Sequence, residues 1–171
     1  MGVLFFPVES TRITSYFGKR EAPTANASTD HKGIDISIAS GSAVRAANSG
    51  IITDAGYNTS AGNFIVISGS DGITTKYMHL SQLIGGKGET VQQGQIIGKS
   101  GNTGISTGAH LHFGVYENGI AQDPLKYNYI QNIDYVNQNK NISEDLFINE
   151  NIKAIIPIAV ISLVILAILR Q

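Results

Sequence analysis

A-H-L-H-F-G-V-Y, residues 109–116, alternates: Leu111, Phe113 and Val115 stand between His110, His112 and Gly114. Successive side chains of a β-strand point to opposite faces. The three apolar residues therefore face a core, and the two imidazoles share the other side with Cα atoms about 7 Å apart. Such a pair suits one metal ligand and one neighbour beside a metal-bound water. It suits equally well two histidines on a solvated sheet face.

The chain around this run has the same character. Short apolar stretches at Ile34–Ile38, Gly50–Thr53, Phe64–Ser68, Ile73–Met78, Gln95–Gly98 and Leu111–Tyr116 are rich in Ile, Val, Phe or Tyr. Turn residues separate them, as expected of strands. Asp71-Gly72 is a hairpin signal, and Asn118-Gly119 closes the strand that carries the two histidines. Most of the 19 glycines fall here. No helical period is sustained. Residues 1–126 are predicted to be an all-β domain, an antiparallel β-sheet or two packed sheets with long loops at one end.

Composition narrows the chemistry. The 171 residues carry Lys+Arg 12 against Asp+Glu 13, a net charge of -1. That balance argues against nucleic acid as a partner, since such proteins need surplus cation to displace counterions from phosphate. There is no cysteine, so disulfides and thiolate metal sites are excluded and His and carboxylate remain as ligands.

The chain holds four histidines. Besides His110 and His112 there is His31, in H-K-G-I-D, and His79, at the end of T-T-K-Y-M-H-L. An extended chain would put His31 and Asp35 about 13 Å apart, too far to share an ion. A tight turn at Gly33 would fold His31 back towards Asp35. Asp35 stands in I-D-I-S-I, whose isoleucines are expected to face inwards. Taken singly, each is compatible with an ordinary turn Asp or surface His. Together they supply two nitrogens and one carboxylate with a position left for water, the make-up of a catalytic zinc site. Two imidazoles remain to handle protons. No H-E-x-x-H helix is present to provide a glutamate base.

From about Pro7 to Leu125 the sequence resembles the lysostaphin and LytM type of zinc endopeptidase, the M23 family of peptidoglycan hydrolases. The resemblance is carried by I-T-S-Y-F-G-K-R (13–20), H-K-G-I-D-I (31–36), Y-M-H-L (77–80), the long run V-Q-Q-G through H-F-G-V-Y-E-N-G (91–119) and Asp123-Pro124. It implies a LytM-type β fold and one Zn2+ per chain held by His31, Asp35 and His112. It further implies His79 and His110 as catalytic histidines that do not bind the metal. The implied substrate is a peptide cross-link or stem of bacterial peptidoglycan. A catalytically inactive wall-binding or activator module is the alternative that the same resemblance allows. Some members carry a Tyr shortly before the first ligand; the loop Ala22–Asp30 has none. Asn102, Thr103, Ser106 and Thr107, ahead of the H-x-H strand, fit either a substrate groove or plain turn chemistry.

Residues 127–152 are polar and Asn-rich and read as a linker. Residues 153–171 read as a membrane anchor. Ala154–Leu169 holds sixteen uncharged residues, fourteen of them Ala, Ile, Leu or Val. As a helix it would be about 24 Å long against a hydrocarbon core of roughly 30 Å. Snorkelling by Lys153 and Arg170 closes the difference. These cations stand one on each side, so charge does not orient the segment. The apolar Val3–Val8 has neither the basic region nor the cleavage site of a signal peptide. A wall hydrolase with a C-terminal transmembrane helix and no ordinary export signal is expected in a phage virion membrane rather than a bacterial envelope. Nothing in the sequence sets an oligomeric state.

Overall fold

The computed structural model describes residues 3–24 and 27–130. The expected anchor at 153–171, and all of the expected linker after residue 130, lie outside the described residues. No helix among the described residues is long and apolar enough to cross a membrane.

The described residues form fifteen strands and one 3-10 turn, Pro124–Lys126. In chain order the strands are β1 (Leu4–Phe5), β2 (Ile13–Ser15), β3 (Gly18–Lys19), β4 (Asp30–His31), β5 (Ile34–Ser37), β6 (Ala43–Arg45), β7 (Gly50–Asn58), β8 (Gly62–Ser68), β9 (Ile73–Leu80), β10 (Gln82–Leu83), β11 (Thr90–Val91), β12 (Ile96–Lys99), β13 (His110–Glu117), β14 (Ile120–Gln122) and β15 (Tyr129–Ile130). The all-β antiparallel expectation therefore holds. The main sheet runs β11-β7-β8-β9-β13-β5-β2, with β14 hydrogen-bonded to β13. A second, three-stranded sheet runs β10-β12-β6.

Alternation places the core. Ile34 and Ile36 of β5, Ile65 and Ile67 of β8, Tyr77 of β9, and Leu111, Phe113 and Val115 of β13 are all fully buried. They form one contiguous cluster with Val44 of β6 and Ile97 of β12, from the smaller sheet. Burying this surface drives the two sheets together. The cluster contains one polar device: Tyr77 Oη accepts from the Ala47 N–H at 2.6 Å and lies 2.9 Å from Thr75 Oγ1, which donates to Asn48 Oδ1 at 2.7 Å. Each of these buried groups is thereby paired.

The expected turns are present. Asn118 and Gly119 both have positive φ, 49° and 81°, the backbone that a two-residue hairpin loop demands. Gly72 has φ 81°, and Asp71 Oδ1 accepts from the Ile73 N–H at 3.1 Å. Sheet pairing continues past the compositional boundary at 126. Tyr127 is buried, and β15 pairs in parallel with β1, Leu4 opposite Tyr129 and Phe5 opposite Ile130.

Two local features aim side chains at the face opposite the core. The first is a bulge in β9. Ile65 pairs with Tyr77 and Asn63 with Leu80, so β9 spends one residue more than β8 over this interval. With strict alternation His79 would follow Ile73, Thr75 and Tyr77 towards the core. The bulge gives Leu80 that place, fully buried, and His79 takes up φ 64°. The second is Gly33. It does not adopt positive φ. A Cβ there would lie 2.4 Å from the Phe113 carbonyl oxygen and 2.8 Å from His112 Nε2. Gly33 is required for close approach to β13 rather than for turning freedom.

Left-handed backbone costs a non-glycine residue roughly 1–2 kcal/mol. His79→Gly is therefore expected to be more stable than His79→Ala by about 1 kcal/mol in urea unfolding. Equal midpoints for the two variants would contradict a strained bulge.

Candidate functional site

The centre of the site is a cross-strand pair. In the β5–β13 ladder His112 stands directly opposite Asp35. Residues so placed project from the same face with Cβ atoms about 4.5–5.5 Å apart. His112 Nδ1 lies 2.9 Å from Asp35 Oδ1. His31 arrives from outside this sheet, on the two-stranded ribbon β3-β4, where it pairs with Gly18. Its Nε2 lies 3.1 Å from Asp35 Oδ1 and 2.9 Å from His112 Nδ1. Three potential ligand atoms thus form a small triangle, and they are the three that the resemblance implied.

Its protonation follows from the surroundings. His31 Nδ1–H donates to the Tyr16 carbonyl at 2.8 Å, so Nε2 carries a lone pair towards the triangle. Asp35 offers only acceptors. One proton on His112 Nδ1, shared with its two neighbours, satisfies the triangle in the metal-free chain. A divalent cation satisfies all three lone pairs at once. Ligands at zinc distances of 2.0–2.1 Å on a tetrahedron sit about 3.3 Å apart, a few tenths more than the triangle's edges. The residues present therefore fit a zinc-sized ion.

Electrostatics agree. Burial by itself would raise the Asp35 carboxyl. Hydrogen bonds from His112 and His31, and then their charges, outweigh it and hold the group well below the usual carboxylate range. Burial lowers the His112 imidazole, opposed by its hydrogen bond to Asp35. A carboxylate kept ionised beside imidazoles is the form in which metal ligands bind. Asp35 Oδ2, away from the triangle, meets Arg20 Nη1 at 3.0 Å. Arg20 also contacts Ser15 Oγ.

The other two histidines face each other beside this triangle, ring centroids 4.7 Å apart. His79 Nδ1–H donates to the Thr103 carbonyl at 2.8 Å, and His110 Nδ1–H to the Gly108 carbonyl at 2.7 Å. Each is thereby set in the tautomer whose Nε2 is an acceptor. Burial lowers His79 to about 4; the Thr103 hydrogen bond opposes this, and His110 and His112 add to it. His79 is consequently neutral near pH 7. His110 Nε2 lies 3.7 Å from Asp35 Oδ1.

All five side chains line one cleft of about 700 Å³. Its walls include Arg20, Thr24 and Ile105–Ala109. The polar loop before β13 divides between the two roles open to it. Ser106 and Thr107 line the cleft. Thr103 is structural: its carbonyl orients His79, and its hydroxyl donates to the Leu80 carbonyl and accepts from the Asn63 N–H. Asn102 supports Ser106, accepting from its hydroxyl at 2.6 Å. Sequence reasoning did not single out Arg20 or the carbonyls of Tyr16, Thr103 and Gly108. A carbonyl leaves no mark on residue type. Arg20 was visible only as one residue of a motif.

Residues 29–124 match Peptidase family M23. The chain is 37% identical over 119 residues to the peptidoglycan DD-endopeptidase ShyC of Vibrio cholerae, across 69% of this chain and 28% of that protein. It thus spans well under half the length of that curated relative. Among solved structures, a zinc containing peptidase from Vibrio cholerae is similar with TM-score 0.68 and 32% identity, over 75% of this chain and 41% of the other. The catalytic domain of lysostaphin from Staphylococcus simulans is similar with TM-score 0.61 and 37% identity, over 67% of this chain and 90% of that domain. Fold and sequence point the same way, and the chain belongs to peptidase family M23.

Proposed function

We propose that this chain is a zinc-dependent endopeptidase that hydrolyses peptide cross-links or stems of bacterial peptidoglycan. In this reading His31, Asp35 and His112 hold one zinc ion, and His79 and His110 are catalytic. The observation that carries it is the meeting of three potential ligand atoms within 3.1 Å of one another, with two further imidazoles of set tautomer on the same cleft.

Bound zinc would polarise the scissile carbonyl and bring the pKa of its water from about 16 towards about 7. The chain's own groups do the rest. The cleft binds an extended peptide against the sheet face. One water adds across the amide: the acyl carbon gains the oxygen, the C–N bond breaks and the amine departs with a proton. One of His79 and His110 accepts a proton through Nε2 from the attacking water. The other, when it carries a proton at Nε2, steadies the developing oxyanion or hands that proton to the amine. Burial keeps His79 neutral, so an acceptor is ready near pH 7. The Thr103 and Gly108 carbonyls hold both rings in position as the proton moves.

An inactive wall-binding module is the alternative reading. Retention of all five polar side chains in one cleft supports the enzyme. For its setting we propose a membrane, through Ala154–Leu169, and in particular the membrane of a phage virion. The uncharged run of that segment supports the anchor.

Zinc should raise the melting temperature of the wild-type chain, with about 2.7 kcal/mol expected at 100 times the dissociation constant. Chelator should reverse the shift and His31→Ala should abolish it. A shift that survives in His31→Ala would place the ion elsewhere. Mass spectrometry of purified peptidoglycan should show newly hydrolysed amide bonds after treatment with the wild type. His79→Ala/His110→Ala should leave them intact while still holding about one zinc per chain. Continued cleavage by the double variant would remove both histidines from the mechanism. The protein should be recovered with the detergent-soluble membrane fraction of purified virions; recovery confined to host cytosol would oppose that setting.

A further inference from the structure

The two oxygens of Asp35 have different partners. Oδ1 faces the ligand triangle, 2.9 Å from His112 Nδ1 and 3.1 Å from His31 Nε2. Oδ2 faces away and accepts from Arg20 Nη1 at 3.0 Å. The guanidinium is itself held in place. Nη1 also contacts the hydroxyl of Ser15, the residue opposite Asp35 in the β2–β5 ladder. Nε approaches the Ser28 carbonyl at 3.5 Å, and the backbone N–H of Arg20 donates to the Thr29 carbonyl at 2.9 Å. The Arg20 side chain is only 20% exposed and that of Asp35 14%.

The same ribbon supplies both partners. Gly18 of β3 pairs with His31 of β4, and Arg20 follows two residues after Gly18. The β3-β4 ribbon therefore brings His31 to one oxygen of Asp35 and Arg20 to the other. A carboxylate beside a divalent ion either binds through one oxygen or chelates through two. Chelation would use the coordination position that a catalytic zinc site keeps for water. A charge-assisted bond to a guanidinium holds the second oxygen out of that position more firmly than a neutral donor would. A partly exposed ion pair adds little to stability, so this arrangement is poorly explained as a structural tie alone.

Resting on the zinc reading above, the geometry points to Arg20 as a positioning residue that restricts Asp35 to a single metal-facing oxygen and so keeps the site open for the attacking water. Arg20 acts through Asp35 and takes no part in proton transfer.

Cobalt(II) reports this directly, because its visible absorption depends on coordination geometry. The full chain, in detergent, is loaded with cobalt as wild type, Arg20→Ala and Arg20→Lys. Wild type is expected to show the strong band of a four-coordinate ion. Arg20→Ala should bind about one cobalt per chain but lose most of that band as Oδ2 joins the metal. Its kcat on peptidoglycan should fall about 10–100-fold, with KM nearly unchanged. Arg20→Lys, which keeps the charge and loses the planar fork, should fall between the two. A band in loaded Arg20→Ala that superposes on wild type overturns the inference. If the alanine variant does not fold, a wild-type band in Arg20→Lys overturns it equally. A wild-type chain that takes up no cobalt removes the zinc reading itself, and the inference with it.

Discussion

The site depends on one register, that of β5 against β13. With His112 opposite Asp35, both side chains leave the same face of a sheet whose other face is packed with Ile34, Ile36, Leu111 and Phe113. A slip of one residue would send Asp35 towards the core and expose isoleucines, so burial of the apolar face enforces the register. The ligand geometry is thus a by-product of core packing. That is a firm base for a metal site, because side chains on paired strands are better fixed than side chains on loops.

Around this pair the fold spends local irregularity where alternation cannot deliver a side chain. Strict period 2 would turn His79 inwards beside Tyr77. The bulge in β9 turns it out and lets Leu80 fill the core instead. The left-handed backbone at His79 is an outlier of the kind that persists only where the surroundings hold it. Gly33 serves the same end differently, since any side chain there would meet the Phe113 carbonyl and the His112 ring. His31 comes from the separate β3-β4 ribbon, which also carries Arg20. Three structural sources therefore meet at one point: ladder, bulge and ribbon.

Backbone carbonyls complete the chemistry. Those of Tyr16, Thr103 and Gly108 each accept from one imidazole Nδ1–H. They set the tautomers, and with them which nitrogen of each ring keeps its lone pair. Because the donor–acceptor pairing is to main chain, the surrounding loops can vary in residue type and keep the ring orientations.

Much of this was legible in the amino-acid order. The alternation of A-H-L-H-F-G-V-Y and I-D-I-S-I, together with the Asp71-Gly72 and Asn118-Gly119 turns, determined an antiparallel all-β domain and the faces of His110, His112 and Asp35, because strand periodicity is local. The resemblance of motifs pointed to the same five side chains that the cleft brings together. What stayed hidden was non-local. His79 looked like a strand terminus, since a bulge is defined only against the partner strand. Gly33 looked like a turn residue, since the neighbour that forbids a Cβ lies on β13. Arg20 and the orienting carbonyls had no signature, since their partners are distant in the chain. Residue type and period determined which groups were available and which way most of them face. Only the tertiary structure decided that they meet, because convergence depends on strand register and close packing between segments far apart in sequence.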